Sequence, residues 1–278
     1  MRALANGTEL FYLIEGTGGV GPPLFLTHGP GFDHTFFRPW LDPLSQRRQV
    51  IFWDSRGCGL SSRSTELAGT TLDTLAEDVD ALRSHLGLGR IVLHGHSFGG
   101  FIVLAYALKH PQNLAGLILD CAVPAFDYQP LMTSNLVARG TVEQVQQVTK
   151  AFEGQIASDN GLREVWELVL PLYFHRDHAK PETQLFEQMK FSVAVMNHFL
   201  TLIPTLNMID QLHKVLTPTL VLGGRDDWIC PPTAGAERLH AGLKNSQLKV
   251  FEYSGHFPFI EEQENYLQTV AKWLDSLQ

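Results

Sequence analysis

The sequence predicts an α/β fold, a mostly parallel sheet with helices on both faces and an inserted helical segment. Three observations carry that expectation. Short, continuously apolar runs alternate with segments of helical periodicity, the pattern of strands buried on both faces. The alternation stops near Pro124 and resumes at Thr219. The stretch between them, residues 125–215, is rich in Leu, Val, Phe and Met and far too long for a loop. The expected division is a sheet domain, residues 1–124 and 216–278, carrying a helical cap, residues 125–215.

The elements follow in order. Leu10 to Ile14 forms a strand after an Asn6-Gly7 turn. Leu24-Phe25-Leu26 is a buried strand running into His28-Gly29-Pro30-Gly31, and residues 49–53 form another, ending at Asp54. Apolar residues at 72, 75, 79, 82 and 86 have helical spacing, closed by Gly87 and Gly89. Arg90 to His94 is a strand, Phe101 to Lys109 a helix, and Leu114 to Leu119 the next strand. After the helical segment come a strand at 219–222, a helix at 233–243, a strand at 248–251 and an amphipathic helix at 263–277.

Composition narrows the function. The chain has 278 residues, 44% hydrophobic and 18% charged, which suits a globular protein of one large domain with an insertion. Twenty-one basic against twenty-nine acidic residues give a net charge of −8, which argues against nucleic acid or an anionic membrane as partner. A small molecule or short peptide remains. No apolar run reaches the ~20 residues of a membrane helix. Residues 1–7 lack the apolar core of a signal peptide. Cys58, Cys121 and Cys230 lack metal-type spacing and read as reduced, core-filling thiols. A cytoplasmic protein without metal or cofactor is expected.

The strongest chemical signal is Gly95-His96-Ser97-Phe98-Gly99-Gly100, between a predicted strand and a predicted helix. That is the context of the G-x-S-x-G nucleophile elbow, which lifts a serine above the sheet edge. A serine nucleophile needs a base, and the base an orienting carboxylate. Asp226-Asp227-Trp228 follows the strand at 219–222, and His256 follows the strand at 248–251. Both lie at strand carboxyl ends, where sheets of this class place their sites. His94 and His96, beside the elbow, read as packing or supporting residues.

On these motifs the chain resembles the α/β-hydrolase superfamily along nearly its whole length. The resemblance implies a Ser-Asp-His triad of Ser97, Asp227 and His256. The family's acid stands three residues after a glycine and four before a proline. Gly224, Asp227 and Pro231 fit that frame, with Asp226 the alternative. Gly255-His256-Phe257-Pro258 with Glu261 resembles the family's histidine loop. One oxyanion donor is then the Phe98 amide. The other is the Gly29 amide, in a frame that places Thr27 where the family has histidine. The rival frame would require an amide of Pro30, and proline has none. Asp54 to Ser61 resembles the family's D-x-R-G-x-G-x-S loop, read as a structural turn with Asp54 and Arg56 paired or hydrogen-bonded.

Within the superfamily, residues 29–34, the Asp54 loop and the long cap most resemble the prolyl aminopeptidase (proline iminopeptidase) family. Such enzymes hold a free amine with acidic cap residues. A family segment Glu-Asn-His-Tyr-Phe corresponds here to Met196-Asn197-His198-Phe199-Leu200, so Met196 replaces the glutamate. Met196, Phe199 and Trp228 are the candidate substrate contacts. Glu164, Glu167, Glu182 and Glu187 read as a solvated helix face. Phe186, Phe191, Met196 and Phe199 would suit an uncharged acyl group. Three readings stay open. The first is an aminopeptidase-like serine hydrolase. The second is an esterase, lactonase or carbon–carbon bond hydrolase with the same triad. The third is a non-catalytic ligand-binding homologue.

Overall fold

Eight strands form one sheet in the order β1-β2-β4-β3-β5-β6-β7-β8. They are β1 (Arg2–Ala5), β2 (Thr8–Glu15), β3 (Leu24–Thr27), β4 (Val50–Trp53), β5 (Ile91–His96), β6 (Leu114–Asp120), β7 (Thr219–Gly224) and β8 (Ser246–Phe251). The computed structural model describes residues 1–19, 21–63, 67–178 and 184–277. β1 pairs antiparallel with β2, and β2 with β4; every other pairing is parallel. Every residue of β3, β4, β5, β6 and β7 is buried. Successive strand side chains point to opposite faces, so the centre of the sheet is covered on both.

The helices of the sheet region are α1 (Leu72–His85), α2 (Gly99–Lys109), α8 (Ala236–Gly242), α9 (Pro258–Glu261) and α10 (Gln263–Asp275). Thr71 and Thr74 cap the start of α1 reciprocally, and Leu75, Val79 and Leu82 form its buried stripe. α2 begins two residues earlier than its apolar pattern, on Gly99-Gly100. Glycine is a poor helix former, but the chain is crowded there: a Cβ at Gly99 would meet the Thr27 carbonyl. α8 begins at Ala236 rather than at Thr233, after Pro231-Pro232 and a non-helical Gly235. β1 was not expected. Its inward residues are Ala3 and Ala5 while Leu4 is 77% exposed, so hydropathy does not mark the buried side.

Between β6 and β7 lie α3 (Gln129–Arg139), α4 (Val142–Phe152), α5 (Asp159–Tyr173), α6 (Gln184–Glu187) and α7 (Val193–Leu202). The two ends of this segment are stitched together. Phe126 N donates to Leu206 O at 3.1 Å, Met208 N donates to Pro124 O at 2.8 Å, and Ala125 bridges Asn207. The segment thus leaves and rejoins the sheet region at one point. Its far side docks on the loops after β3 and β4. Ser192 N donates to Gly31 O at 2.9 Å, Lys190 N to Asp33 Oδ2 at 2.8 Å, and Arg63 reaches Phe191 O at 2.7 Å.

Asp54 and Arg56 are both hydrogen-bonded, but not to each other. Asp54 accepts from the His34 and Leu60 amides and pairs with the His34 ring, while Arg56 pairs with Asp78 on α1. The three cysteines are free and buried. Among the described residues no helix is long and apolar enough to cross a membrane.

Candidate active site

Four loops at strand carboxyl ends converge here, after β3, β5, β7 and β8. Ser97 directly follows β5 with φ +56°, a left-handed conformation that a non-glycine residue adopts only at a cost of about 1–3 kcal/mol. Its amide donates to Asp120 O at 2.9 Å, which fixes the turn to the end of β6. A Cβ at Gly95 would collide with the Gly99 carbonyl, so the strand-to-helix turn closes only with glycine at that position.

The loop after β7 separates the two aspartates. Asp227 Oδ1 accepts from the Ile229 and Cys230 amides at 3.0 Å each, leaving Oδ2 to the His256 ring at 2.7 Å from Nδ1. Asp227 is 3% exposed. Asp226 points away and pairs with Arg176 at 2.6 Å and Arg139 at 3.1 Å. These arginines, with their own bonds, hold its carboxyl below the usual range against the opposing effect of burial. Arg139 also donates to Asp226 O and Phe174 O, tying α3 and the end of α5 to this loop.

His256 is held from three sides. Its amide donates to Tyr173 O at 2.6 Å, its carbonyl lies 2.8 Å from His96 Nε2, and its ring meets Asp227. Burial, and next the neighbouring His256, push the His96 imidazole down to about 3. It is therefore neutral, and the carbonyl bond places its proton on Nε2. Glu261 supports the same loop, accepting from the His175 amide at 2.6 Å and the Gly255 amide at 2.8 Å. Burial pushes its carboxyl up to about 7, although those amides oppose the shift.

On the β3 side, Gly29 faces the elbow: a Cβ on it would lie 3.9 Å from Phe98 Cβ. Neither the Gly29 nor the Phe98 amide donates to an acceptor among the described residues. Gly31 has φ +82°, and a Cβ there would press on Met196 Cβ and Ser192 O at 2.9 Å, so α7 rests directly on this loop.

Ser97, His256 and Gly29 line one cavity with about 1020 Å³ of empty space, its open mouth included. Phe32, Phe36, Phe98 and Phe257 wall it from the sheet side, and Phe126, Phe152, Trp166 and Tyr173 from the helical segment. No Asp, Glu, Lys or Arg lines it among the described residues. Met196 is in the wall. Phe199 and Trp228 stand behind it, Phe199 against Phe98 at 5.3 Å and Trp228 against Tyr173 at 5.4 Å between ring centroids. Glu164, Glu167 and Glu187 are solvent-exposed, and Glu182 lies outside the described residues. Tyr173, not singled out in the sequence, and Cys230, read there only as a core-filling thiol, both line the cavity. A tyrosine ending a helix carries no local signal, whereas Cys230 could have been found from its place one residue before Pro231 in the acid loop.

A family model for the alpha/beta hydrolase fold matches residues 22–263. A proline iminopeptidase of Saccharolobus solfataricus is 28% identical over 98% of this chain and 90% of its own length. A thermophilic esterase from Thermogutta terrifontis superimposes with TM-score 0.76 at 26% identity, covering 100% of this chain and 98% of its own. The enol-lactonase of Burkholderia xenovorans shares the fold with TM-score 0.79 at 23% identity over 99% of both chains. With a mostly parallel eight-stranded sheet, loops meeting at strand carboxyl ends and a match over most of its length, the chain is a hydrolase and belongs to the α/β hydrolase fold family.

Proposed function

We propose that this chain is a serine acyl hydrolase for uncharged, apolar esters or lactones. Ser97 is the nucleophile, His256 its base and Asp227 the acid that orients the base. The helical segment 125–215 caps the site and supplies much of the acyl pocket. The His256 Nδ1 proton is donated to Asp227 Oδ2, so Nε2 carries the lone pair that accepts the Ser97 proton. Ser97 Oγ attacks the carbonyl carbon. The tetrahedral oxyanion takes the free Gly29 and Phe98 amides, and His256 returns the proton to the leaving oxygen. Water repeats the sequence on the acyl-enzyme. The N-terminus of α2 behind Ser97 favours the developing negative charge.

The observation that carries the substrate class is the absence of a charged side chain from the described cavity wall. Burying an ammonium beside no carboxylate costs several kcal/mol, which disfavours the free amine of an aminopeptidase substrate. Met196, at the position where the resemblance places a glutamate, presents a thioether to that wall. The likeness to the Thermogutta esterase also supports this reading, while the relatives named proline iminopeptidase support the aminopeptidase alternative. The test compares p-nitrophenyl esters of graded acyl length with proline β-naphthylamide. The esters should give the higher kcat/KM. Efficient release of N-terminal proline, lost when the amine is acetylated, would overturn the ester reading.

A further inference from the structure

We propose that Asp227, Cys230 and His256 together form a binding site for a thiophilic divalent cation such as Zn²⁺ or Cd²⁺. One donor atom from each residue lies within 4.8 Å of the other two. All three come from two adjoining loops, and the Cys230 amide is already bonded to Asp227, so the set is preassembled. Cys230 and His256 line the cavity, which gives a cation a path in.

Charge balance favours this set over its neighbours. A carboxylate and a thiolate carry two negative charges, a neutral imidazole none, so a divalent cation leaves the complex neutral in an uncharged wall. His96, Cys121 and His256 also cluster, but that set holds a single negative charge and would leave a divalent cation unbalanced. Asp33, His34 and Asp54 form a third cluster, none of whose residues lines the cavity. Among the described residues the Cys230 set alone combines balance with access.

The consequence for turnover rests on the triad reading above. Binding sends the thiol proton to solvent and occupies one imidazole lone pair. Either nitrogen is needed for turnover: Nδ1 for its bond to Asp227, Nε2 for the Ser97 proton. A thiol must lose its proton to bind the cation, so the proton competes with the cation and binding weakens as pH falls. The cation is an inhibitor, and the chemistry of Ser97 needs none.

The test titrates the wild-type protein, Cys230→Ala, Cys230→Ser and Cys121→Ala with Cd²⁺, reading the thiolate-to-cadmium charge-transfer band, with folding checked by circular dichroism. One equivalent should produce the band in wild type and Cys121→Ala and none in either Cys230 variant. Ester turnover, measured in parallel with Zn²⁺ and each variant referred to its own metal-free rate, should fall about tenfold in wild type at a free cation tenfold above the dissociation constant. It should return on adding a chelator. No band in wild type, or a band that survives loss of Cys230, overturns the site. A Cys230-dependent band with undiminished turnover supports the site and overturns the triad.

Discussion

Replacing Asp227 by asparagine should remove turnover while leaving the loop in place. The asparagine Oδ1 still accepts from the Ile229 and Cys230 amides, which hold the loop at 3.0 Å. Its Nδ2 group then meets His256 Nδ1, 2.7 Å from the oxygen it replaces. Two donors cannot share that contact, so the imidazole turns its lone pair to Nδ1 and its proton to Nε2, facing Ser97. The base is lost by tautomer alone. In an unrelated serine protease the same change costs about 10⁴ in kcat, or about 5 kcal/mol of transition-state stabilisation. Asp226→Asn has a different effect. It weakens the ion pairs with Arg176 and Arg139, one partner exposed and the other largely covered, and should cost about 1–2 kcal/mol of stability. Its kcat should stay within roughly tenfold of wild type, since Asp226 touches no part of the triad. Steady-state rates on a p-nitrophenyl ester, read beside melting temperatures, separate the two. A larger rate loss for Asp226→Asn than for Asp227→Asn would refute the assignment.

Two further outcomes follow from buried groups. Burial lifts Glu261 from its ordinary 4.5 to about 7, so between those values the folded chain holds a proton that the unfolded chain has released. Stability should therefore fall as pH rises through that window, by roughly 3 kcal/mol at most. Urea midpoints against pH should show a flatter slope for Glu261→Gln; an unchanged slope would contradict it. Met196→Glu buries a carboxylate against Gly31 without a cation, so it should lower the melting temperature and shift the ester-to-amine ratio only modestly toward the amine. A large gain in proline naphthylamide cleavage would show that the amine subsite was otherwise complete.

The parts of the fold legible in the sequence are those where local pattern and tertiary role agree. Fully buried central strands read as continuous apolar runs, and α1 carries both its periodicity and its cap. β1 was hidden because Ala3 and Ala5 face the core while Leu4 faces solvent. The division of residues 125–215 into α3–α7 was not legible, because its helices bury apolar residues against both one another and the cavity. Ser97 and His256 stand out by motif. The choice between Asp226 and Asp227 rested on spacing; what draws Asp226 away from His256, its pairing with Arg139 and Arg176, involves residues distant in sequence and was not legible. The cavity-lining side chains were least legible. Side chains one helical turn apart, such as Met196 and Phe199, differ in whether they reach the cavity or stand behind it.

The central claim is that Ser97 carries the acyl group. Incubation with a fluorophosphonate, followed by mass analysis of the peptide containing residue 97, tests it directly. One equivalent of adduct should appear on Ser97 with matching loss of ester turnover, and Ser97→Ala, folded as judged by its melting curve, should take no adduct and lose turnover by several orders of magnitude. Labelling at another residue, or a Ser97→Ala variant that hydrolyses esters near the wild-type rate, would contradict the account.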